Sequence, residues 1–263
     1  TIIALVHPPS AAFSVTACSS SNSFSDPIDF ETPSEAPNPI PTQGTAKTFT
    51  TTADGIYSLA EGEAKLFDGV SMAPTTIEID KNKKFQTIDG FGYAITYSSC
   101  YNLMQMNPEA RQALLKRIYS TTEGYGVSYA RISLGCNDFS STEYTYCDKK
   151  GSENDPISNF ALYSDENNYV IPILKEILSI NPSLKIIAAP WTCPKWMKVA
   201  DIDTKTPKDS WTDGHLNPDY RETYAKYFVK FINVMKEKGI NIYAVSPQNE
   251  PLNKANCASL YMP

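Results

Sequence analysis

The chain has 263 residues, 41% of them apolar and 20% charged, with a net charge of -6. That balance belongs to an ordinary globular protein, and with no long basic run it excludes a nucleic-acid footprint. Two histidines, His7 and His215, cannot build a histidine metal cluster, and the cysteines lack paired C-x-x-C spacing, so neither a metal nor a cofactor is expected.

Thr1–Val6 is apolar and runs into His7-Pro8-Pro9, then Val15-Thr16-Ala17-Cys18. An apolar stretch that ends in small residues before a cysteine is similar to a bacterial lipoprotein export signal over residues 1–18. On that expectation Cys18 carries lipid, and the protein sits in the bacterial cell envelope, anchored to a membrane rather than spanning it. A chance cysteine in a disordered tail is the alternative. Residues 19–46 hold Pro27, Pro33, Pro37, Pro39 and Pro41 among Ser, Thr and Asn, and read as a disordered linker.

Residues 47–88 read as short strands. Lys47–Thr52 is β-rich, Thr75–Asp80 alternates apolar with polar side chains, and Phe85–Ile88 resumes the alternation after a polar turn. From Asp89 onward strands and helices alternate. Phe91–Thr96 predicts a first strand, and Asn107-Pro108 opens a helix with Ala110, Leu114, Leu115 and Ile118 on one face. Tyr129–Leu134 predicts a second strand, with Arg131 a charge in mid-run. Val170–Ile180 predicts a helix, Lys185–Trp191 a third strand, and Asn217–Gly239 a helix with an aromatic face at Tyr220, Tyr224, Tyr227, Phe228 and Phe231. Ile240–Val245 is the fourth strand, and it stops at Ser246-Pro247-Gln248-Asn249-Glu250-Pro251.

This alternation predicts an α/β fold with a parallel sheet. A doubly wound sheet and a (β/α)8 barrel both fit. Polar residues at several strand ends (Asp138, Trp191, Glu250) favour the barrel, whose chemistry lies on that rim.

Asp89-Gly90-Phe91-Gly92, Arg131–Ser140, Pro190–Lys198 and Gln248-Asn249-Glu250-Pro251 together resemble glycoside hydrolase family 30, the family of glucosylceramidases and β-1,6-glucanases. The resemblance implies a retaining β-glycosidase on a (β/α)8 TIM barrel with a β-sandwich beside it. Residues 47–88 would then be strands of that side domain, and residues 89–263 about the first four β/α units of the barrel. It further implies Glu250 as general acid/base, a role that needs a carboxyl group protonated near neutral pH. Asn249 matches the residue that hydrogen-bonds the sugar 2-hydroxyl, Asp138 and Trp191 match residues that line the glucose pocket, and Arg131 matches a charge supporting the site from within the barrel. Plainer roles stand beside these: an ion-pair member for Arg131, core packing for Trp191, a turn cap for Asp138. Trp196 reads as rim packing and Cys193 as a small buried hydrophobe.

The family's nucleophile, a Glu ending the seventh strand, has no counterpart here, and residues 91–263 are too few for eight units when a typical barrel has about 250 residues. With no starting Met and no polar tail, the sequence reads as an N-terminal fragment, expected to be inactive and aggregation-prone by itself. For the whole protein the substrate is a β-glucan or β-glucoside. An endo-β-1,6-glucanase is placed first and a glucosylceramidase second. A glycan-binding surface lipoprotein without catalysis is the alternative of another class. A Cys136–Cys147 disulfide across the Asp138 loop is conceivable.

Overall fold

The computed structural model describes residues 2–4, 42–67, 77, 80 and 82–263. The chain divides into two units, Thr1–Thr87 and Ile88–Pro263.

In the first unit, β1 (Ile2–Ala4), β2 (Thr42–Thr50) and β3 (Ala60–Phe67) form an antiparallel sheet in that order. This corrects the end of the expected linker. Thr42 and Gly44–Ala46 pair with β3, which satisfies their backbone groups in a ladder. The sequence of β3, Ala-Glu-Gly-Glu-Ala-Lys-Leu-Phe, has little strand propensity of its own and is held by its Thr-rich partner. A Lys47–Glu61 pair at 3.0 Å crosses the two strands. Phe85–Ile88 forms no strand. Most of the Thr75–Asp80 segment and all of residues 5–41, Cys18 included, lie outside the described residues.

The second unit is built on a parallel sheet in the order β4-β5-β6-β9. Its strands are β4 (Gly92–Ala94), β5 (Tyr129–Ser133), β6 (Lys185–Ala189) and β9 (Ile242–Val245). Among the described residues strand order follows chain order, without a switch point of the kind a doubly wound sheet uses. This is a partial (β/α) barrel, and the sheet is open, with β4 and β9 as its edges among the described residues.

Strand β4 is shorter than the predicted Phe91–Thr96 because Thr96 turns to cap a helix. Its Oγ1 accepts from the Ser99 N–H at 3.3 Å and starts α1 (Tyr97–Gln105). Sequence reasoning misses α1, since Tyr97–Asn102 holds no strong helix former and Leu103, Met104 and Gln105 come only in its last turn. Burial of Cys100 fixes it instead. The predicted cap of α2 (Pro108–Tyr119) is present, with Asn107 Oδ1 accepting from Glu109 and Ala110. Its buried face is rotated from the predicted one: Leu115 and Tyr119 are buried, while Ala110 and Leu114 are exposed. Arg111 on that inner side grips Glu176 of α3 (Ile171–Ile180) with two bonds of 2.9 Å. Such a forked pair fixes the angle between two helices as well as their spacing.

A long excursion after β6 carries the short antiparallel pair β7 (Lys198–Val199) and β8 (His215–Leu216). It then enters α4 (Arg221–Glu237), whose buried face is Tyr224, Tyr227, Phe231 and Met235. Gly239, at φ +83°, ends the helix as predicted. The core lies between these helices and the sheet residues Ala130, Ile132, Ile186 and Ala188. At the N-terminal end of the strands Asp89 receives Tyr129 Oη and Lys185 Nζ. A side chain at Gly92 would collide with the Tyr129 carbonyl. The Asp89-Gly90-Phe91-Gly92 motif is therefore structural, at the end opposite the site.

Candidate active site

The C-terminal ends of β5, β6 and β9 meet at one rim. Ser246 N–H donates to Ala188 O at 2.9 Å, and Asn249 N–H donates to Pro190 O at 2.8 Å. The Gln248 amide nitrogen donates to Trp191 O at 2.7 Å and to Asn249 O at 2.9 Å. The two strand ends are thus stitched by backbone and by one buried side chain. Gln248 Oε1 has no hydrogen-bond partner among the described residues.

Arg131, pointing inward from β5, reaches this stitched corner. Its guanidinium donates to Asn249 Oδ1 at 2.8 Å and lies 4.9 Å from the centre of the Trp191 ring. That geometry is both a hydrogen bond and a cation–π contact. It also orients an amide: with Oδ1 held by a donor, the Asn249 nitrogen is the end left to donate. Trp191 itself is buried at 8% exposure, so it forms the floor of the corner rather than an exposed platform.

Glu250 follows directly and is exposed. Its backbone is in the left-handed region at φ +44°, a conformation that costs a non-glycine residue about 1–2 kcal/mol. Asn253 N–H donates to the Glu250 carbonyl at 2.9 Å and holds the turn. The carboxylate Oε2 accepts from the side-chain amides of Asn253 at 2.7 Å and Asn256 at 2.9 Å.

The structure therefore brings Arg131, Trp191 and Asn249 into contact, with Glu250 the next residue along. Asp138 is placed differently. It is exposed in a turn closed by Asn137, whose Oδ1 accepts from the Phe139 N–H at 2.8 Å. Among the described residues Asp138 makes no hydrogen bond to the other four. Trp196 packs at the rim, donating to Cys147 O at 2.7 Å and meeting Tyr220 edge-on. Cys193 is fully buried, and burial pushes its thiol up to about 12, so it is inert. Cys136 and Cys147 are both free and buried, which corrects the conceivable disulfide.

Two features of the rim escape sequence reasoning. Asn253 and Asn256 sit in a loop, where spacing carries no periodic meaning. Lys198 is buried, and its ammonium donates to Ser259 O at 2.8 Å, Thr192 Oγ1 at 3.2 Å and Trp211 O at 3.3 Å. Burial draws its pKa down to about 8. It ties the Thr192 and Trp211 segments to Ser259, 61 residues away, and nothing but its place in Pro194-Lys195-Trp196-Met197-Lys198 hints at that. Among the described residues no group of three or more His, Cys, Asp or Glu side chains is arranged to hold a metal ion.

A parallel β/α sheet with an amide, an indole and a carboxylate at the C-terminal strand ends defines a barrel protein with a polar rim site. More narrowly, the chain belongs to glycosyl hydrolase family 30: the model of that family's TIM-barrel domain matches residues 88–259. "Putative glucosylceramidase 1" of Caenorhabditis elegans is 32% identical over 207 residues, 74% of this chain and 38% of that protein. "Endo-1,6-beta-D-glucanase" of Neurospora crassa is 30% identical over 221 residues, 81% of this chain and 45% of that one. A solved endo-beta1,6-glucanase is 55% identical with a TM-score of 0.71, covering 82% of this chain and 45% of that one. The chain spans less than half the length of each of these proteins.

Proposed function

We propose that the whole protein is a retaining β-glycoside hydrolase acting on β-1,6-linked glucan, with Glu250 as general acid/base. The observation that carries the substrate class is the 55% identity to a solved endo-beta1,6-glucanase. The rim geometry supports the roles. Asn249, oriented by Arg131, presents its amide nitrogen to a sugar hydroxyl, and Trp191 floors the pocket. Asp138, exposed on the neighbouring loop, takes a hydroxyl of the same glucose.

In the first step a second carboxylate, which the family resemblance assigns to a later strand, attacks the anomeric carbon. The carbon–oxygen bond breaks, and the leaving oxygen takes the Glu250 proton. In the second step Glu250 removes a proton from water, whose oxygen displaces the enzyme carboxylate. Net retention needs the two carboxyl groups about 5–5.5 Å apart. A glucosylceramidase is the second reading, favoured by the name of the Caenorhabditis elegans relative. Envelope anchoring through lipid on Cys18 remains part of the proposal, and a mass measurement of the mature N-terminus tests it.

The deciding experiment replaces Glu250 with Gln in the whole protein and assays β-1,6-glucan against glucosylceramide. Turnover on the preferred natural substrate should fall roughly 10²–10⁴-fold, the usual worth of a general acid/base. An aryl glucoside with a good leaving group should keep its first step. Unchanged hydrolysis of glucan would remove Glu250 from the mechanism, and glycan binding without any turnover in the unaltered protein would favour the binding-protein reading.

A further inference from the structure

We propose that Asn253 and Asn256 are positioning residues that clamp Glu250 through one carboxylate oxygen and thereby assign its proton transfers to the other. The proposal rests on the reading of Glu250 as general acid/base and deepens it.

Both amides donate to the same atom, Oε2, at 2.7 and 2.9 Å. An amide nitrogen donates and cannot accept, so a proton on Oε2 would face two N–H groups. A carboxylate oxygen has two good lone-pair sites, and here both are taken. The exchangeable proton therefore belongs on Oε1. The Asn253 amide is not free to turn over, because its Oδ1 accepts from the Ala255 N–H at 2.8 Å and its nitrogen must then face Glu250. The loop bearing both amides is tied down on two sides. Met262 N–H donates to Pro251 O at 2.8 Å, and Cys257 Sγ donates to Glu143 Oε1 at 2.8 Å.

The proton balance follows. In the acid step the O–H bond at Oε1 breaks and the proton passes to the leaving glycosidic oxygen, and in the base step a water O–H breaks and its proton returns to Oε1. Both amides keep their bonds to Oε2 throughout. They bind a carboxylate more strongly than a neutral acid, so their contribution grows as charge develops on Glu250 in the first transition state.

The test uses the whole protein with N253A, N256A and E250Q. N253A removes the amide donor without placing a charge beside Glu250, and it keeps the backbone bond from the Asn253 N–H to the Glu250 carbonyl that holds the turn. For N253A and N256A, turnover on β-1,6-glucan should fall about 10-fold with little change in KM. The loss should grow across a series of aryl glucosides as the leaving group becomes more basic, because only poor leaving groups need the proton. Hydrolysis of an aryl glucoside with a good leaving group should change little in its first step. Unchanged turnover in N253A and N256A, or a loss of the same size for good and poor leaving groups, with E250Q still severely slowed, overturns the clamp alone. Full activity in E250Q overturns the underlying reading instead. Thermal midpoints matching the unaltered protein show that any loss is not one of folding.

Discussion

The Arg131 guanidinium holds Asn249 by its oxygen and covers the Trp191 ring, so one planar cation sets the geometry of two neighbours. A lysine would keep the charge but not the flat fork or the stacking surface. Arg131→Lys should therefore lower kcat/KM of the whole protein about 100-fold while circular dichroism stays unchanged, since a misplaced amide is costly even when all charges remain. Activity within about twofold of the unaltered protein would reduce Arg131 to scaffolding. Arg131, Trp191 and Glu250 stand out in the sequence as polar or aromatic residues in or just after apolar runs, while their roles, and that of Asn249, come from the family resemblance. Asp138 stands out in the same way, yet the Asn137 turn leaves it exposed and, among the described residues, unpaired with the others. The amides of Asn253 and Asn256 are not legible, because what makes them matter is a loop path that no periodicity encodes.

Helix α3 is preceded by a single π-helical turn, Glu166–Val170, and there the fold buries an acid with incomplete partners. Tyr144 Oη donates to Glu166 Oε1 at 2.6 Å, while Glu166 Oε2, Asp165 Oδ2 and Tyr146 Oη are buried without a well-formed hydrogen bond among the described residues. Burial pushes the Glu166 carboxyl up to about 7. A folded pKa above the unfolded value of about 4.3 means that stability is fully present at acid pH and is lost as pH rises toward 7. Glu166→Gln should remove that loss. Denaturant titrations at pH 4 and pH 8 should show the variant gaining on the unaltered protein by up to a few kcal/mol across the interval, and parallel pH curves would sink the assignment. The elements themselves were legible to different degrees. Helices α2, α3 and α4 announce themselves through Asn107, Asn181 and Gly239. Helix α1 and strand β3 do not, because their local preferences are neutral and tertiary pairing decides them.

The open sheet is the dominant fact about the second unit. Among the described residues strands β4 and β9 each have one neighbour, and Tyr243 and Val245 on β9 are exposed at 58% and 37%. Unpaired edges with apolar side chains are templates for another chain. The 263-residue chain by itself should thus self-associate at micromolar concentration in light scattering. Val245→Lys should reduce that association, and a monomer at tens of micromolar would contradict it. The parallel β/α order was legible from alternation alone, whereas the excursion holding β7, β8 and the Lys198 staple was not, since it is secured by carbonyls far away in sequence. The Arg131–Asn249 hydrogen bond has a similar reach, joining residues 118 positions apart. Contacts of that separation form only after a long loop has closed, and this one must wait until β9 lies beside β6. Helices α2, α3 and α4 need no such closure. In refolding, then, helix content reports collapse, and the cover that Arg131 places over the Trp191 indole times the docking of the last strand.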